Sequence, residues 1–89
     1  MSTHSSHPDV IKRLKRAAGH LQSVVAMLEE GKACLDVAQQ LQAVESAITN
    51  AKKTLVQDHI DHCLEHAMGD DSQSAQDAIR EFKAITKYL

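Results

Sequence analysis

Aromatic side chains are almost missing from this chain of 89 residues: Phe82 and Tyr88 are the only two, and tryptophan is absent. Strands of sandwiches and barrels are filled with aromatic and β-branched residues, so this scarcity argues against a β architecture. Pro8 is the only proline, and Gly19, Gly31 and Gly69 are the only glycines. A β protein of this length needs more turn residues than that. No apolar run exceeds a few residues, which excludes a membrane-spanning helix. The opening MSTHSSHPD has no apolar core and does not read as an export signal. A cytoplasmic location is therefore expected, with Cys34 and Cys63 kept reduced. Neither sign of charge dominates: 10 Lys and Arg stand against 12 Asp and Glu, a net charge of −2, which by itself points to no nucleic-acid partner. So short a chain has a thin core, and oligomerisation or a metal is the expected aid to stability.

What is present is helical periodicity. Residues 1–7 read as a flexible N-terminal tail, with Ser6 or His7 as cap and Pro8 in the first turn of a helix. Val10, Ile11, Leu14, Ala17, Ala18, Leu21, Val24, Val25 and Leu28 then recur every three to four residues, which predicts a helix over about 8–30 with Gly31 as its left-handed C-cap. No glycine or proline interrupts Lys32 to Met68, and Leu35, Ala38, Leu41, Val44, Ile48, Ala51 and Leu55 predict one long helix over about 33–67. Gly69-Asp70-Asp71-Ser72 breaks it. A third helix over about 73–88, capped by Ser72 or Ser74, carries Ala75, Ala78, Ile79, Phe82, Ile85 and Leu89. Residues 8–89 thus read as a single all-α domain, a three-helix protomer. Three helices of such unequal length cannot enclose a core alone. The economical solution is an antiparallel four-helix-bundle dimer.

Chemistry concentrates near the end of the long helix. His59, His62, Cys63 and His66 fall within eight residues, and His59 and Cys63 are four apart, the spacing of neighbours on one helix face. A lone histidine or cysteine on an apolar stripe is usually packing. Three histidines and a cysteine this close favour metal or reactive-thiol chemistry, and thiolate with imidazole suits Cu(I), Zn(II) or Ni(II). Cys34 lies 25 residues before His59, roughly 37 Å along one helix at 1.5 Å per residue, so it cannot share a metal with His59 of its own chain. In an antiparallel dimer it would approach His59 and Cys63 of the other copy. A local site of His59, His62, Cys63 and His66 is the alternative. Asp58, Asp61 and Glu65 nearby could suggest hydrolysis, but no nucleophile, base and oxyanion arrangement accompanies them, and no enzyme is expected.

A second feature is basic. Lys12, Arg13, Lys15 and Arg16 against Asp9 leave a net +3 over residues 9–16, and Lys52 and Lys53 form another pair. Such runs are often only a solvated face, but an oligomer would multiply the patch, and phosphate contacts sum.

From Pro8 to Leu89 the sequence resembles the metal-sensing repressors of the CsoR/RcnR/FrmR family, the copper-sensing type most closely. The resemblance rests on IKRLKRAAGHLQSVVAMLEEGKAC, DVAQQLQAVESAI and DHIDHC, with Cys34, His59 and Cys63 at the family's Cys…His-x-x-x-Cys positions. It implies dimers that assemble to a homotetramer. It implies operator DNA held by the metal-free protein and released on Cu(I) binding to Cys34 of one subunit and His59 and Cys63 of its partner. It implies DNA contacts by Arg13, Lys15 and Arg16, with Lys12, Lys52 and Lys53 alongside. There are departures. Glu45 stands where many relatives carry arginine, and Ala33 where copper sensors have tyrosine. The carboxylate that backs their site from the third helix has no clear counterpart, Glu81 being close but out of register. Nickel- or cobalt-sensing relatives recruit an N-terminal histidine, a role open to His4 or His7, and thiol-sensing relatives use the two cysteines for persulfide chemistry. Formaldehyde-sensing relatives need proline after Met1, where Ser2 stands. Outside the family, a helical metal buffer that never touches DNA is the competing class.

Overall fold

The computed structural model describes residues 6–67 and 72–89. Three α-helices follow one another: α1 (His7–Glu29), α2 (Cys34–Ala67) and α3 (Ser72–Ile85), with a 3-10 turn at Thr86–Tyr88 after α3. There is no strand among the described residues. The breaker Gly69-Asp70-Asp71 lies outside them, as do the cap roles expected of the Ser72 and Ser74 side chains.

Local chemistry accounts for the boundaries. Pro8 sits in the first turn of α1, where its missing N–H costs nothing, and Asp9 complements the positive helix end. The helix begins one residue earlier than expected. The Ser6 hydroxyl donates to Asp58 Oδ2 at 2.7 Å. At the far end Gly31 adopts φ 74°. Its N–H donates to the Leu28 carbonyl at 3.1 Å, and Lys32 N–H donates to the Met27 carbonyl at 3.0 Å. Together these two bonds satisfy the last carbonyls of α1 in a Schellman arrangement, as Gly31 led us to expect. Ala33 then supplies the first carbonyl of α2, accepting from Val37 N–H at 3.1 Å, and Asp36 stands in the first turn.

The chain packs as two compact units. One comprises Pro8–Lys52, and the other Lys53–Leu89 with the residues before Pro8. In the first unit Val24, Val37 and Val44 form the buried cluster, with Met27 packed against it. The buried positions are seven apart: Val10, Ala17 and Val24 on α1, and Val37, Val44 and Ala51 on α2. Small and β-branched residues at that interval let two antiparallel helices approach closely along a narrow seam. In the second unit Val56, Cys63 and Ala78 are buried among the described residues.

The larger apolar side chains are mostly outside. Ile11, Leu14, Leu21, Val25 and Leu28 of α1 are 42–58% exposed, and Leu35, Leu41 and Ile48 of α2 are 43–69% exposed. The apolar residues that the sequence offers as one stripe per helix therefore divide into two. One row faces the chain's own core, and a row richer in leucine is left at the surface. Surface rows of this kind mark an interaction face.

Candidate metal centre

His59 and Cys63 occupy consecutive turns of α2 and so project from one side of it. Against that side the second unit brings Glu81 of α3. One donor atom each from His59, Cys63 and Glu81 lies within 4.8 Å of the others. A single carboxylate oxygen, Glu81 Oε2, stands 3.6 Å from His59 Nε2 and accepts a long contact of 3.9 Å from the Cys63 thiol. The first distance suits charge attraction rather than a hydrogen bond. Cys63 is almost fully enclosed, at 2% exposure, whereas the Glu81 side chain is open to solvent.

That enclosure sets the chemistry of the thiol. Burial, then the negative charge of Glu81 and its contact with the thiol, push the Cys63 pKa above the ordinary thiol value. In the metal-free protein Cys63 is therefore a neutral thiol at physiological pH, and a metal would have to displace its proton.

Glu81, close to the family's supporting carboxylate in sequence but out of register with it, stands near both donors. Its spacing from Ala78, which is buried against the same unit, was the available signal.

The other sequence-derived candidates are placed differently. Cys34 is exposed and opens α2, 25 residues before His59 on one uninterrupted helix. His62 is half-buried and lies outside the three-residue group, as does His7 at the start of α1. His4 and the side chain of His66 lie outside the described residues. Asp58 is engaged by Ser6, and Asp61 accepts from Gln57 at 3.2 Å.

On the basic face, Lys12, Arg13, Lys15 and Arg16 are exposed along α1. Arg13 is held by Asp9, Nε to Oδ2 at 2.7 Å. Arg13 and Arg16 line a cleft with His20 and Asn50, and His20 Nε2 lies 2.7 Å from Gln40 Oε1. Lys52 and Lys53 are exposed on α2.

Comparison with known proteins identifies the family of the chain. The profile of a family described as metal-sensitive transcriptional repressors matches residues 6–88. The copper-sensing transcriptional repressor RicR of Mycobacterium tuberculosis is 34% identical over 78 residues, covering 88% of this chain and 81% of its own. The copper-sensing transcriptional repressor CsoR of Bacillus subtilis is 34% identical over 80 residues, covering 88% and 79%. Among solved structures, the nickel-responsive transcriptional regulator InrS superimposes with a TM-score of 0.81 at 24% identity, over 100% of this chain and 99% of its own, which establishes the shared all-α fold. The chain belongs to the family of metal-sensitive transcriptional repressors, which are regulators and not enzymes.

Proposed function

We propose that this chain is a cytoplasmic Cu(I)-responsive repressor, with residues 8–89 as its regulatory domain. It would bind operator DNA when metal-free and release it when Cu(I) binds between subunits. The observation that carries the reading is the convergence of His59, Cys63 and Glu81 within 4.8 Å, with Cys63 buried.

The donors fit the metal. Bonds of roughly 2.0–2.3 Å from sulfur and imidazole ask for donors roughly 3.5–4 Å apart, a small contraction from the distances here. Two soft donors from one chain leave room for a third, and Cys34 of the partner subunit supplies it, giving the sulfur-rich set that Cu(I) favours. Glu81, facing His59 Nε2, orients the ring so that Nδ1 is presented as ligand, the usual task of a carboxylate behind a metal-bound histidine. Relatives named as copper-sensing share 34% identity with this chain, in keeping with that choice over Ni(II) or Zn(II). The N-terminal histidines His4 and His7, with His62 and His66, are the added donors that Ni(II) would need.

Cys34 of one subunit with His59 and Cys63 of the other would hold the Cu(I), which would supply a strong link between the two chains. Cys34, drawn to the far end of the partner's α2, ties two subunits together. It thereby favours one quaternary arrangement over another, which is what coupling between two sites requires. Operator phosphates are met by Lys12, Arg13, Lys15 and Arg16 of α1 and by the Lys52–Lys53 pair of α2, repeated over a homodimer and homotetramer.

The test is a titration of the metal-free protein on DNA from upstream of its own gene. The expected result is salt-dependent binding that Cu(I) reverses. Cys34→Ala should keep operator affinity and lose the response to metal. Release of the variant at the same Cu(I) concentration removes Cys34 from the site. Release by Ni(II) with a square-planar thiolate absorption, and none by Cu(I), replaces copper by nickel. No binding at low salt turns the reading to a metal buffer.

A further inference from the structure

The surface of α2 carries a pattern that the metal site does not use. Beside the buried row Val37, Val44 and Ala51 runs a second row with the same seven-residue interval: Leu41, Ile48 and Leu55, which are 43%, 45% and 36% exposed. An open apolar groove along it is lined by Ala38, Leu41, Val44, Glu45 and Ile48, among others. The next row outward reads Ala38, Glu45, Lys52 and His59. Glu45 and Lys52 are both exposed, and neither has an ion-pair partner among the described residues.

The apolar row is symmetrical about Ile48. When two copies of a helix lie antiparallel about a two-fold axis, each residue number and that of the residue facing it have a constant sum. With the axis at Ile48, Ile48 meets its own copy, and Leu41 of each chain meets Leu55 of the other. No apolar residue in the row is left facing a polar one. A two-fold axis also keeps the outer row of both helices on the same side of the contact, where flanking charges select partners and register. In this register Glu45 lies one residue, about 1.5 Å along the helix, from the level of Lys52 of the partner subunit, once on each side of the axis, within reach of an ion pair.

Competing registers are penalised. A shift of half a repeat toward the N-terminus brings Glu45 to within one residue of its own copy and sets Leu55 against Cys34. The same shift toward the C-terminus brings Lys52 to within one residue of its own copy and sets Leu41 against His62. Each replaces two attractions by a like-charge contact and removes an apolar pair, the pattern expected where specificity is built against alternatives. The favoured register sets residue 34 opposite residue 62 of the other chain, between His59 and Cys63.

We infer that Glu45 and Lys52 form two symmetry-related ion pairs across the dimer axis, and that these pairs fix the antiparallel register of α2 on α2 of a second copy. The inference rests on the dimer of the functional proposal and refines it.

The experiment is sedimentation equilibrium of the metal-free full chain at low salt. Glu45→Lys and Lys52→Glu should each weaken the dimer roughly tenfold, while the combined exchange restores it to within about twofold, and high salt should level all four proteins. Circular dichroism checks that the variants keep their helices. As a second measurement, Ile48→Cys with Cys34→Ser should cross-link the chain to its own copy under mild oxidation. Leu41→Cys in the same background should not. A stable dimer with no rescue by the exchange, or no cross-link at position 48, overturns the register lock and leaves the repressor reading standing. A chain that stays monomeric at every concentration overturns the dimer itself, and both proposals with it.

Discussion

Glu81, on α3, holds its Oε2 atom 3.6 Å from His59 Nε2 on α2, and the same oxygen lies 3.9 Å from the Cys63 sulfur. One carboxylate therefore acts on both donors. It attracts a protonated or metal-bound imidazole, and it repels a thiolate unless a metal cation stands between them. Glu81→Gln keeps the shape and removes the charge. In a Cys34→Ser background, where Cys63 is the sole thiol, the Cys63 titration followed by ultraviolet thiolate absorbance should move down toward the ordinary range, because two of the three causes of its raised pKa come from Glu81. An unmoved titration would mean that burial alone governs the thiol.

The raised pKa of Cys63 also fixes the sign of a stability change. Below about pH 8.5, the value of an unfolded thiol, folded and unfolded chains both carry the proton and this group leaves stability level. Above it the unfolded chain loses its proton first, so stability falls as pH rises, until the folded thiol ionises as well. Urea midpoints between neutral and alkaline pH should therefore decline more steeply for the native chain than for Cys63→Ala at the same protein concentration. Parallel slopes would contradict the direction of the shift.

Two glycines should respond in opposite ways to alanine. Neither Gly19 nor Gly31 has an atom within 4 Å of where a Cβ would stand, so crowding decides neither case. Gly31 has φ 74°. Alanine there carries a backbone penalty of about 1–2 kcal/mol, and asparagine a smaller one. Gly19 lies mid-helix in α1, where alanine stabilises by about 0.8–1 kcal/mol. Denaturant unfolding of both variants reads the contrast directly. Equal shifts would show that something other than backbone conformation governs the two positions.

The sequence carried the helices but not their facing. Expected spans of 8–30 and 33–67 agree with His7–Glu29 and Cys34–Ala67 to within a residue, because long uninterrupted periodicity between rare glycines is a local signal. The span 73–88 likewise divides only at its end, into Ser72–Ile85 and the turn Thr86–Tyr88. Periodicity could not tell which apolar row turns inward. Val24 at 1% and Leu28 at 58% exposure belong to the same repeat, and packing selected the smaller residue. His59 and Cys63 were legible as a pair because four residues on one helix fix their geometry. Glu81 was not, because its approach depends on how α3 returns against α2, which no local pattern encodes.

Cys34 separates an intersubunit site from a local one by genetics as well as by titration. A chain with Cys34→Ala keeps His59 and Cys63, and a chain with His59→Ala keeps Cys34. Neither homodimer can assemble the three-donor set. In a mixed dimer the first chain supplies His59 and Cys63, and the second supplies Cys34, so one of the two sites is complete and the other lacks two donors. Co-expressed chains carrying different affinity tags, purified as heterodimers, should thus bind one tight Cu(I) per dimer where the native dimer binds two. A site confined to one chain could not be restored by mixing in this way. Loss of tight binding in the heterodimer would accordingly exclude the shared site, and retention of two tight ions by either homodimer would show that Cys34 or His59 is dispensable.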